Sequence, residues 1–244
     1  METNLILEML SQPDDYTCGP TCLHSVYRYH GDEIELAKVI SEVPRVAGGG
    51  TLDVLLACHA LRRGYEATIF TYNLQLFDPT WFRPARTDLA EMLQRQMEYK
   101  LSPILKVATR AYLEFLDLGG KLRFEDLTGA LIRKYLGRSI PVLTGLSATF
   151  LHRMAREYGA TCEPDSVRGE PTGHFVVLCG YNKESREVLV ADPLATNPVS
   201  GGNRYVVSID RVINAILLGI VTYDANLLII EPQKNAQTRK SCRY

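Results

Sequence analysis

The sequence predicts an α+β fold: a helical N-terminal lobe packed on a C-terminal antiparallel sheet, with a helical insertion between them. Three patterns carry that expectation. Apolar residues recur at helical spacing from about residue 19 to 64, two further helical repeats and several prolines fill 73–136, and strand-like runs follow one another from SIPVLTGL to NLLIIEP. The chain has 244 residues, 46% of them apolar, enough for one large domain with a core of its own.

In GPTCLHSVYRYHG the residues Cys22, Leu23, Val26 and Tyr27 share one helix face and Gly31 is placed to end it, so a helix is expected from about 19 to 30. Pro20 falls in its first turn, where the missing N–H has no intrahelical partner to lose. A second amphipathic segment carries Leu36, Val39, Ile40 and Val43 up to Pro44, and a third begins at Thr51 as cap and ends at Gly64. EATIFTY reads as a strand by its β-branched and aromatic content and closes the first lobe, residues 1–72.

In the insertion, 73–136, FDPTWFRPA is a proline-marked loop, while TDLAEMLQRQMEYK and FEDLTGALIRKYL repeat apolar residues at helical spacing. From 137 to 232, SIPVLTGL, HFVVLCGY, EVLVAD and NRYVVSI are strand-like, with turn-like NKESRE between the second and third. SIDRVINAILLGI is read as a helix capped by Ser208, NLLIIEP as a last strand, and 233–244 as a polar tail. All of this is taken as one domain, 1–244.

Formal net charge is −1 and the only short basic stretch is the tail from Lys234 to Arg243, so no nucleic-acid partner is expected. METNLILEML lacks the basic start, apolar centre and small-residue cleavage site of a secretory signal, and no apolar run is long enough to span a bilayer, which makes the cytoplasm the expected compartment. The six cysteines are scattered and read as reduced thiols. Cys18 and Cys22 have no second Cys or His pair to close a tetrahedron, so no metal is expected. Gly48, Gly49 and Gly50 lack the Lys and Ser or Thr of a phosphate-cradling loop and read as a flexible helix entry.

The chemistry concentrates in three segments. In QPDDYTCGPTCL, Cys18 sits at the mouth of the first helix, six positions after Gln12. A cysteine is a nucleophile as thiolate, a form favoured at a helix N-terminus and beside an imidazolium. His174 heads the run GHFVVLCGY and Asp192 ends the next one, VLVADP; a tight connection would bring both to the same edge of the sheet. Asp192 could then hold the imidazole as the third member of a triad does. Gln12 and the backbone N–H of Cys18 would supply donors to a developing oxyanion.

The bland readings are a buried apolar thiol for Cys18, a satisfied strand histidine for His174 and a plain turn before Pro193 for Asp192. The spacing and order of the motifs favour the catalytic reading. His24, His30, His59 and His152 are expected to be structural, Asp14 and Asp15 to be solvated turn carboxylates, and Cys22 to face the core. Phe77, Trp81 and Phe82 either line a groove or anchor a loop. Residues 163–172, rich in Pro, Gly and charge, are expected to form a mobile flap over the cleft.

Together, QPDDYTCGPTCL, GHFVVLCGY and VADP resemble the bacteriocin-processing (double-glycine leader) cysteine peptidases and their stand-alone relatives. GGGTLDVLLACHALRRGYEA is similar to that family's third helix and the strand after it. The resemblance implies a papain-like fold with Cys18 as nucleophile, His174 as general base then acid, Asp192 as orienter and Gln12 as oxyanion donor, without a cofactor. It implies a peptide or peptide-like substrate, with room for a partner protein that presents it. The expected activity is amide hydrolysis through a Cys18 acyl-enzyme. Acyl or peptidyl transfer from the same thioester, and a non-catalytic peptide-binding module, are the alternatives.

Overall fold

The computed structural model describes residues 2–83, 87–159 and 161–233. The polar tail expected beyond Gln233, and Cys242 within it, lie outside the described residues. In chain order the elements are β1 (Glu2–Asn4), α1 (Cys18–Tyr29), α2 (Leu36–Glu42), α3 (Asp53–Arg62), β2 (Tyr65–Thr71), α4 (Leu89–Tyr99), α5 (Pro103–Asp117), β3 (Lys121–Arg123), α6 (Gly129–Leu136) and β4 (Val142–Ser147). Then come α7 (Ala148–His152), β5 (Glu157–Tyr158), β6 (Glu163–Pro164), β7 (Gly173–Asn182), β8 (Glu187–Ala191), β9 (Arg204–Ser208), α8 (Ile209–Leu218) and β10 (Asn226–Pro232).

The sheet runs β3-β2-β10-β4-β7-β8-β9, with β1 also pairing with β7. Every neighbouring pair is antiparallel except β2 with β3. The α+β architecture expected from the sequence is therefore the one observed. β2, the strand that closes the first helical segment, joins this same sheet through β10, so the last strand of the chain bridges it to β4.

All six residues of β4 and eight of the ten in β7 are buried. Continuous burial of that kind requires cover on both faces. One group of helices, α1, α3 and α5, packs together and onto β7, β2 and β10; another, α6, α7 and α8, packs onto β4 and β7. α1 contributes Cys22, Leu23, Val26 and Tyr27, each at most 1% exposed. Truncating a side chain as enclosed as Leu23 to alanine costs about 2–5 kcal/mol.

The helix ends follow local chemistry with one correction. Asp88, Thr128 and Ser208 cap α4, α6 and α8, their side-chain oxygens accepting first-turn N–H groups. Thr51 does not cap α3: that helix starts at Asp53 after Leu52, and the Thr51 hydroxyl donates to the Pro44 carbonyl at 2.9 Å. The hydroxyl closes the loop between α2 and α3 instead, leaving none for the helix end. In the insertion Phe77, 1% exposed, meets Tyr112 edge-on, and Phe82 stacks on Phe124, so these aromatics fasten the loop to the body.

Candidate active site

Cys18 is the first residue of α1, where the N–H groups of the first turn have no intrahelical acceptor. The loop before it is shaped by Asp14, whose Oδ1 accepts the Tyr16 N–H at 2.9 Å while Arg45 pairs with Oδ2. α1 is then held against β7: the Cys22 thiol donates to the Phe175 carbonyl at 3.2 Å. Gly19 allows close approach, since a Cβ there would lie 2.7 Å from Thr51 Cγ2. Cys22 is thus a buried structural thiol, as its helical spacing implies.

His174 is the second residue of β7 and Asp192 directly follows β8, with Val177 opposite Ala191 in the register. The two strands run antiparallel, so the start of one and the end of the other meet at one edge of the sheet. His174 Nε2 lies 2.7 Å from Asp192 Oδ1. The same oxygen accepts the Leu194 N–H at 2.8 Å, which makes Asp192 both the head of the Asp-Pro turn and the partner of the imidazole. The backbone N–H of Gln12 donates to the Pro193 carbonyl at 2.9 Å, tying the loop before Cys18 to the turn that carries Asp192.

The other Asp192 oxygen meets two residues that the sequence does not point to. Tyr205 donates its hydroxyl to Oδ2 at 2.8 Å, and His152 Nε2 lies 3.2 Å from both Oδ2 and the Tyr205 oxygen. Tyr205 has a faint signal in the alternation of β9, which turns it inward. His152, expected to be merely structural, ends a five-residue helix and carries none.

Burial alone would discharge His174. The Asp192 charge and hydrogen bond and the contact with Cys18 outweigh it and push the imidazole up to about 10. For Asp192, burial acts to raise the carboxyl, but the His174 charge and the hydrogen bonds from His152, His174 and Leu194 hold it well below the usual carboxylate range. With Nε2 engaged by Asp192, Nδ1 is the ring nitrogen left for the cleft.

Cys18 and His174 line one cleft of about 360 Å³, together with Gln12, Gly50, Thr51, Glu157, Cys162 and Asp224 among others. The structure thus brings together all four residues expected from the sequence. Gln12 Nε2 donates to the Asp14 carbonyl at 2.9 Å, which uses one of its two amide hydrogens. The segment expected to be a flap begins beside this cleft: β5 pairs with β6, and Glu157, Thr161, Cys162 and Thr172 contribute to the wall. Among the described residues no group of three or more His, Cys, Asp or Glu side chains is placed to hold a metal, and no helix is long and apolar enough to cross a membrane.

The Cys18 thiol at a helix mouth, the His174 imidazole and the buried Asp192 carboxylate behind it are thus grouped at one cleft. The model of the C39-like peptidase family matches residues 5–208, and the chain belongs to that family. Among solved structures it is similar to a Bacillus anthracis protein described as a C39-like peptidase, at 14% identity over 96% of this chain and 98% of that one, with a TM-score of 0.49. It is similar also to the double-glycine motif protease of an AMS/PCAT transporter in complex with its leader peptide, at 12% identity, 95% of each chain and a TM-score of 0.44. The peptidase domain of Streptococcus ComA, a bifunctional ABC transporter, matches at 14% identity over 93% of this chain and 99% of that one, with a TM-score of 0.43. No curated protein matches the sequence.

Proposed function

We propose that this chain is a cysteine peptidase-like hydrolase that cleaves an amide bond in a peptide or peptide-like substrate through an acyl-enzyme on Cys18. One observation carries the reading: Cys18 at the mouth of α1 shares a cleft with His174, whose imidazole is kept charged by Asp192.

In this reaction the thiolate attacks the carbonyl carbon, the S–C bond forms, and the carbonyl electron pair moves to oxygen. The Cys18 N–H and the second Nε2 hydrogen of Gln12 receive the oxyanion. As the C–N bond breaks, His174 gives its proton to the departing amine, leaving a thioester and a neutral imidazole. A water then adds to the thioester, its proton passing to His174, and the acid product leaves as the Cys18 thiolate returns. Asp192 keeps the ring oriented and stabilises its charged form throughout.

The test is alkylation of Cys18 by iodoacetamide across pH, in wild type and in His174→Ala, with Cys18→Ala subtracting the other five thiols. Reaction below neutral pH about 100-fold faster in wild type than in His174→Ala is the expected result. Equal rates in the two proteins would overturn the reading in favour of a binding module.

A further inference from the structure

The cleft sets three carboxyl side chains against the single imidazole of His174. Asp15, Glu157 and Asp224 line it, and no lysine or arginine is among the described residues that do. Several carboxylates elsewhere are matched with cations: Asp14 with Arg45, Asp32 with Arg63, Glu114 with Arg62, Glu231 with Arg138. Formal net charge is only −1, so the acidity is local.

Asp224 is the informative member. It is 6% exposed, and its Oδ1 is buried without a hydrogen-bond partner. Two strand glycines leave the space it fills: a Cβ on Gly145 would lie 2.6 Å from Asp224 Cβ, and one on Gly173 would lie 2.6 Å from Asp224 Oδ2. Gly173 immediately precedes His174, so this carboxyl sits at the floor of the cleft next to the reacting pair. Buried polar atoms are ordinarily satisfied, and one left open in a ligand-sized cleft points to a donor that arrives with the ligand.

We propose that the cleft binds a cationic group of its peptide substrate, a lysine ammonium or an arginine guanidinium close to the scissile bond, with Asp224 as the carboxylate that receives it. Asp15 and Glu157 lie toward the outside of the same cleft and draw the cation in. The proposal rests on the peptidase reading of the site and adds its substrate class.

The titratable groups that face Asp224 are Asp53 on α3, Cys18 on α1, His174 on β7 and Tyr112 on α5, with the Thr222 hydroxyl beside it. Burial, then the Asp53 carboxyl, push Asp224 well above the usual carboxylate range, with Thr222 pulling the other way. Burial also pushes Asp53 up to about 7. The floor therefore holds a proton until a cation enters, and entry of the cation releases it. Preference for a charged substrate over its neutral isostere accordingly grows as pH rises.

The experiment uses matched peptidyl acyloxymethyl ketones that carry either arginine or citrulline, placed at the first or the second position before the ketone. In wild type at low salt the arginine probe labels Cys18 about tenfold faster than the citrulline probe in at least one of the two placements. That ratio shrinks as salt is added and approaches one in Asp224→Asn. Where Asp224→Asn does not fold, Asp15→Asn and Glu157→Gln each lower the ratio, and the salt dependence in wild type remains as an independent measure. Equal labelling by both probes in both placements, or a ratio indifferent to salt, overturns the inference and leaves the peptidase reading standing. Failure of every probe to label Cys18 overturns that reading and the inference with it.

Discussion

His152 Nε2 lies 3.2 Å from Asp192 Oδ2, on the carboxylate oxygen opposite the one that meets His174. Asp192 thus stands between two histidines, with Tyr205 and the Leu194 N–H completing its shell. Such a shell fixes the plane of the carboxylate and, through it, the direction of the His174 ring. In the proposed mechanism His152 would act as a positioning residue.

His152→Ala is expected to lower kcat on a peptide substrate by about 10- to 100-fold with little change in KM, because a ring displaced by an ångström loses its attack geometry while the cleft walls stay in place. His152→Gln, which keeps a donor, should recover part of the loss. Steady-state kinetics on both variants decide the matter; a kcat unchanged in His152→Ala would show that Tyr205 and Leu194 suffice.

Gln12→Ala is expected to cost about 100- to 1,000-fold in kcat, the effect of removing one oxyanion donor. Its backbone bond to Pro193 survives the substitution, so thermal unfolding should stay close to that of wild type. A large drop in unfolding temperature with intact turnover would instead assign Gln12 to holding the loop before Cys18.

Stability should decline from mildly acidic to neutral pH. Asp53, 1% exposed, is pushed by burial up to about 7. Its folded value exceeds the unfolded one of about 3.9, so its contribution is fully present below about pH 4 and lost as pH rises through about 7. His174 follows the same sign at higher pH: its contribution is full below about 6.5 and lost as pH climbs through about 10. Asp192 is held low, so its contribution is present above about pH 4 and lost in acid. Denaturant midpoints should therefore be highest at weakly acidic pH, and Asp53→Asn should flatten the fall between about pH 4 and 7. An Asp53→Asn curve parallel to wild type over that range would refute the assignment.

Residues 163–172 should exchange amide hydrogens far faster than β7. They are joined to the body by a two-residue strand pair and a bridge between Glu157 and Glu170, and Val167 is 83% exposed at their tip. Hydrogen exchange resolved by peptide or residue checks this, and protection equal to that of Val176–Leu178 would rule out a mobile flap.

Local pattern accounts for much of the architecture. The 3.6-residue period of Cys22, Leu23, Val26 and Tyr27 specifies α1 and which face it buries, and Cys18 follows at its mouth because Pro20 and Gly19 suit a first turn. The apolar runs 173–182, 187–191 and 226–232 are legible as strands because full burial demands unbroken apolar sequence. The longest helix, α5, and the short edge strands β1 and β3 do not stand out, the strands because three residues carry no period.

What lies beyond local pattern is pairing between distant segments. β10 takes its place between β2 and β4 by a pairing that spans up to 167 residues of chain (Pro232 opposite Tyr65), and no periodicity within either strand encodes the choice of neighbour. In the same way His152 reaches Asp192 across 40 positions, and Asp224 reaches the cleft only because Gly145 and Gly173, on two other strands, leave it room. Helix faces and strand runs arise from short-range repetition of apolar residues, whereas the shell around Asp192 and the carboxyl beneath His174 come from packing, which brings together groups whose spacing along the chain has no physical meaning until the sheet has formed.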